Sequence, residues 1–161
     1  MTPARPRPVT ITIEDARRVS GLLQAPRKNA RGCYMLAHGA GAGMSHKFMT
    51  AVADGLAERG IATLHYQFPY MEQGSKRPDA PKLAQATVRA AVAQASHLLP
   101  KLSLVAGGKS FGGRMTSQNR RRLPRSATGC KSPHRDHCPE SGASHSSDSR
   151  YMPLGGCWRK L

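Results

Sequence analysis

The sequence predicts an α/β protein with an open, mostly parallel sheet flanked by helices. Two observations carry this. From residue 33 to 118, apolar runs of strand length alternate with amphipathic stretches of helix length, as crossover connections require. In addition, two glycine-rich stretches, 38–43 and 107–113, directly follow strand-like runs, the place where open parallel sheets carry their sites.

The elements follow in order. Residues 1–8 are rich in Pro and Arg and predict a loose leader. Val9–Ile13 alternates β-branched residues and predicts a strand, Val19–Gln24 a second, with a basic turn over 26–32. Cys33–Ala37 is continuously apolar, as a strand buried on both faces should be. Ser45 is placed to cap a helix running to Arg59, with Phe48, Met49, Val52 and Leu56 on one face and Gly60 at its end. Ile61–Phe68 reads as the next strand, closed by Pro69, and 70–78 as a polar connection. Asp79 is placed to cap a helix with Pro81 in its first turn. Its apolar face is Ala84, Val88, Ala91, Val92, Ala95 and Leu99, and Pro100 stops it. Ser103–Gly107 is the next strand, and a helix start follows at once. Right-handed crossovers place these parallel strands in one sheet.

The 161 residues amount to one domain, but the core-forming residues are unevenly spread. From 119 to 161 there is no Val, Ile or Phe, while seven serines and nine of the 25 Lys and Arg fall there. Such a stretch buries too little apolar surface to offset its ordering entropy. The expected organisation is a leader at 1–8, a domain at 9–118 and a basic, low-complexity, disordered tail at 119–161. The abrupt shift near 118 falls in mid-helix and has the composition of off-frame GC-rich coding sequence. A frame change is therefore expected there.

The net charge of +16 comes from scattered basic residues, not from a stripe along one element, so no specific nucleic-acid partner is expected. The four cysteines form no disulfide framework, no signal peptide opens the chain, and no apolar run reaches membrane-spanning length. A cytoplasmic location without membrane contact is the expectation. Cys130, His134, His137 and Cys138 have a C-x3-H-x2-H-C spacing that matches no common zinc pattern, and adjacent ligands fit one tetrahedron poorly. No metal or cofactor is expected.

The chemistry concentrates at Gly108-Lys109-Ser110-Phe111-Gly112, a G-x-S-x-G between a strand and a helix. So tight a turn strains the serine and needs small residues two places before and after it, here Gly108 and Gly112. It exposes the Ser110 hydroxyl and aims the Phe111 N–H at an incoming oxyanion. Nucleotide readings of the loops do not hold. Met44 and His46 stand where G-x-G-x-x-G needs its third glycine, and Ser103 where a phosphate loop before Gly108-Lys109-Ser110 needs its first. An acyl-transfer site instead needs a nucleophile and a second backbone donor. The loop His38-Gly39-Ala40-Gly41 supplies that donor, at Ala40 or the neighbouring Gly41, and its small residues let a substrate approach the backbone. His38 and Gly39 are expected to order this loop.

Leu36-Ala-His-Gly-Ala-Gly-Ala-Gly-Met44, Leu56-Ala-Glu-Arg-Gly-Ile-Ala-Thr63, Tyr66-Gln-Phe-Pro-Tyr-Met71 and Ala106-Gly-Gly-Lys-Ser-Phe-Gly-Gly-Arg-Met115 together resemble the α/β-hydrolase superfamily. The likeness is to a bacterial dienelactone-hydrolase-like branch, to which a domain of a histone acetyltransferase complex subunit is also related. It covers about residues 19–118. It implies the N-terminal part of an α/β-hydrolase fold with the C-terminal strands missing, Ser110 as nucleophile and a small ester or other acyl substrate. In this superfamily an acid and then a histidine follow the serine on later strands. Here Asp136, Asp148, His134, His137 and His145 follow, in a stretch without strand character. The expected function is thus a serine hydrolase with an incomplete triad. The alternative is a non-catalytic interaction module whose basic tail contacts nucleic acid or an acidic partner.

Overall fold

The computed structural model describes residues 5–14, 16–27 and 29–119. The elements are β1 (Arg7–Thr12), β2 (Arg18–Gln24), β3 (Gly32–Ala37), α1 (Lys47–Glu58), β4 (Ile61–Tyr66), α2 (Pro69–Glu72), α3 (Pro81–Leu98), β5 (Ser103–Gly108) and α4 (Phe111–Gln118). The five strands form one sheet in the order β1-β2-β4-β3-β5. β1 and β2 make an antiparallel hairpin whose turn holds Ala16 at φ 62°, and β2 runs antiparallel to β4. β4, β3 and β5 are parallel, so the α/β reading of the sequence holds.

Strand alternation divides the sheet between two packed layers. Cys33, Met35, Ala62, Leu64 and Tyr66 join Ala84, Val88, Ala91 and Val92 of α3 in one core. The opposite face of β4 presents Thr63 and His65 beneath α1, where Gln24 Nε2 donates to Asp54 of that helix at 2.6 Å. Burial pushes the Cys33 thiol up to about 11, so it stays protonated and unreactive.

Several sequence expectations are corrected at element ends. β1 begins at Arg7, so the last two residues of the expected leader pair with Leu23 and Leu22. The cap of α1 is His46 and not Ser45: its ring accepts from the Phe48 N–H at 3.2 Å. The buried stripe of α1 is Met49, Ala53 and Ala57, with Val52 and Leu56 only half-buried. Phe48 lies off that stripe, 42% exposed, with the Lys109 ammonium 4.5 Å above its ring. Gly60, at φ 77°, does end the helix.

Pro69 does not simply close β4; it opens α2, where its fixed φ and missing N–H suit the first helical position. Asp79 does not cap α3. Its carboxylate accepts from the Tyr70 N–H at 3.1 Å, and Ala80 takes the cap position without a side-chain bond. Leu99 is half-buried just past the end of α3. The expected tail, with its candidate acids, histidines and cysteines, lies outside the described residues from 120 onward, as do residues 1–4 of the leader. Among the described residues no helix is long and apolar enough to cross a membrane.

Candidate active site

β5 reaches the site through backbone pairing with β3. Lys109 N–H donates to Ala37 O at 2.9 Å, and the chain then turns abruptly into α4. Ser110 sits at φ 49°, ψ −111°, a conformation outside the favoured regions for a residue with a side chain. Such strain costs on the order of 1–3 kcal/mol and persists only where the surroundings enforce it. The enforcement is steric. A Cβ on Gly108 would stand 2.5 Å from Ala37 O, one on Gly112 2.5 Å from His38 O, and one on Gly113 2.6 Å from Gly108 O. β5, α4 and the end of β3 are packed backbone to backbone, and α4 starts within one residue of the serine, with Arg114 N–H donating to Ser110 O at 2.9 Å.

The second loop follows β3 and is held by side chains. His38 is fully buried, with Nδ1 2.7 Å from Gly39 O and Nε2 accepting from Phe68 N–H at 3.0 Å. That pair of partners makes Nδ1 the protonated nitrogen of a neutral ring. Burial holds the His38 pKa below the ordinary histidine value, against the opposing pull of Gly39 O and Asp79. The Tyr70 hydroxyl donates to Ala40 O at 2.9 Å. Further along, Met44 N–H donates to Gln67 Oε1 at 2.9 Å and Met44 O meets His65 Nδ1 at 3.0 Å.

The two loops touch. A Cβ placed on Gly39 would lie 3.6 Å from Lys109 O and 3.8 Å from Ser110 Cβ. Gly41 faces open space, with nothing within 4 Å of such a Cβ. Among the described residues no acceptor meets the N–H of Ala40, Gly41 or Phe111. The Phe111 ring is buried against Phe68 at 5.3 Å and Tyr70 at 6.3 Å, both edge to face.

The structure therefore brings Ser110, Phe111, Gly108 and Gly112 together with His38, Gly39, Ala40 and Gly41 at one sheet edge. It does not bring a histidine to Ser110 among the described residues. His38 has both ring nitrogens engaged, His46 caps α1, His65 lies beneath α1 and His97 ends α3. Nor do three or more metal-ligating side chains gather among the described residues. Sequence reasoning missed Gly113, Gln67 and Tyr70. The last two lie in the 66–71 stretch that carries the family resemblance, but nothing in their spacing marks a role.

The sequence profile of the α/β-hydrolase domain matches residues 30–131, more than half of the chain. The chain belongs to the α/β-hydrolase domain family. This match runs past the composition break near 118. Solved structures agree on the fold of this α/β-hydrolase chain. A dienelactone hydrolase from Anabaena variabilis superposes with a TM-score of 0.69 at 21% identity, covering 79% of this chain and 61% of that one. A lidless α/β serine hydrolase from Xanthomonas campestris gives 0.63 at 19%, covering 76% and 59%. An esterase from Pyrococcus furiosus gives 0.63 at 19%, covering 76% and 49%. The chain thus spans about three fifths or less of the length of these relatives. No curated protein matches it significantly.

Proposed function

We propose that this α/β-hydrolase chain is a serine hydrolase for a small ester or other acyl substrate, with Ser110 as its nucleophile. The observation that carries this is the strained, exposed Ser110 beside the loop after β3, together with N–H groups of Ala40, Gly41 and Phe111 that no described acceptor occupies. Ser110 Oγ attacks the acyl carbon and forms the tetrahedral adduct. The adduct's oxyanion is met by the N–H of Phe111 and by that of Ala40 or Gly41. Collapse expels the alcohol and leaves an acyl-serine, which water then cleaves. His38 contributes by ordering the loop after β3 and not as a base.

Hydrolysis by the chain as it stands is proposed to be impaired. The proton leaving Ser110 Oγ finds no described imidazole within reach and passes to solvent, which makes the hydroxyl a weak nucleophile at neutral pH. The composition of 119–161 supports an off-frame product in place of the strands that carry acid and base, while the family match, which continues to residue 131, counts for the in-frame chain up to there. Translating the gene past residue 118 in its other frames should reveal strands followed by Asp and His; their absence removes this part of the proposal.

The nucleophile is tested with a fluorophosphonate probe. With excess probe and long incubation, slow labelling of the full chain that disappears in Ser110→Ala is the expected result, the slowness reflecting a serine without a base within reach. A chain that takes no label, yet binds duplex DNA in a salt-sensitive manner lost on deleting 119–161, replaces the hydrolase reading with the non-catalytic one.

A further inference from the structure

We propose that Tyr70 is a positioning residue that aims the backbone donors of both loops at the Ser110 adduct. This rests on the reading of Ser110 as nucleophile. The peptide unit is planar and trans, so the carbonyl of one residue and the N–H of the next point in opposite directions. Fixing the carbonyl fixes the donor. The Tyr70 hydroxyl donates to Ala40 O at 2.9 Å, which turns the Gly41 N–H the other way. His38 Nδ1 does the same at Gly39 O, 2.7 Å away, and sets the Ala40 N–H. The Tyr70 hydroxyl also stands 3.4 Å from Gly39 O, so it spans both carbonyls.

The same side chain reaches the other half of the site. Its ring meets the Phe111 ring edge to face at 6.3 Å and 88°, and Phe111 carries the elbow's own N–H donor. Tyr70 thus links the two donor segments, which belong to loops far apart in sequence. It is itself fixed: 3% exposed, with its backbone N–H bound by the Asp79 carboxylate at 3.1 Å. Burial, helped by the Asp79 charge, raises the phenol pKa and keeps the hydroxyl protonated, as a donor must be. Asp79 is therefore a second support of the same arrangement, through the backbone of Tyr70.

Tyr70→Phe removes the hydroxyl and keeps the ring. The expected result is about a tenfold fall in the rate of Ser110 labelling by the fluorophosphonate, less than the loss of an oxyanion donor itself would cause. Backbone 15N order parameters at 39–41 should fall while those of β3 and α1 are unchanged, which general destabilisation would not produce. Equal labelling of Tyr70→Phe and the wild type overturns the positioning role and leaves Ser110 as nucleophile. Slowed labelling with order lost across the sheet also overturns it, in favour of a purely structural tyrosine. A wild-type chain that takes no label overturns the nucleophile reading, and the positioning role falls with it.

Discussion

The loop after β3 and the turn after β5 meet at Ser110, yet they are built by opposite means. The turn is shaped by what is absent: Gly108, Gly112 and Gly113 have no side chains, and the backbones of β3, β5 and α4 close to distances that no Cβ would survive. The loop is shaped by what reaches it from elsewhere: His38, Tyr70, Gln67 and His65 hold its carbonyls and amides by hydrogen bonds. Steric enforcement tolerates strain at one residue but admits no substitution around it. Hydrogen-bonded support tolerates small changes in the loop itself but depends on distant side chains.

The sharpest break of this contrast is Gly112→Val. The new side chain would meet Ala37 O and His38 O, both backbone atoms that cannot turn away. A loss of about 3 kcal/mol or more is expected, read as a fall in the urea midpoint. Next comes His38→Ala. It leaves the Phe68 N–H without its buried acceptor and takes from Gly39 O its shortest partner, with the Tyr70 hydroxyl and the Ala42 N–H remaining at 3.4 Å, at a cost of about 2 kcal/mol by the same measurement.

Smaller than this deletion is the effect of pH on the intact chain. His38 and His65 are both held below the ordinary value of 6.5, chiefly by burial. The folded state then favours their neutral forms, and the unfolded chain binds more protons as pH drops through 6.5. Stability is therefore full above this value and declines below it, so the urea midpoint at pH 5.5 should lie under that at pH 7.5. Asp79, whose pKa is raised above 3.8, acts in the opposite sense at lower pH. The smallest effect is reserved for Gly41→Ala, which meets nothing within 4 Å and should change stability by less than about 0.5 kcal/mol. A large loss at Gly41, or none at Gly112, would dissolve the distinction between the two loops.

The same distinction explains what could be read from the sequence. The turn was legible because its requirement is local: a serine with glycine two places either side, between a strand and a helix. The parallel strands were legible because Cys33–Ala37 and Ser103–Gly107 are short and apolar. The supports of the loop were not, since a tyrosine after a proline looks the same whether or not its hydroxyl meets Ala40 O. Asp79 shows the limit from the other side. An acidic residue two places before Pro81 suits a cap, but the Tyr70 N–H, freed by the short helix at Pro69, competes for the same carboxylate and wins. Helical spacing sets Phe48 on one face with Met49, Val52 and Leu56, whereas the helix turns Met49, Ala53 and Ala57 inward and leaves the ring to Lys109.

The strand order β1-β2-β4-β3-β5 has a consequence in time. Every support of the loop after β3 comes from residues no later than Asp79, which precedes α3, so that half of the site can be complete while the ribosome is still adding α3. The turn needs Gly32 to find Ser103 and Ala37 to find Gly108, contacts that close a long stretch of chain and form slowly. The order of synthesis makes the loop the mould and the serine's turn the late casting. An error that reaches the loop's supports would therefore spoil the mould before the nucleophile has been made.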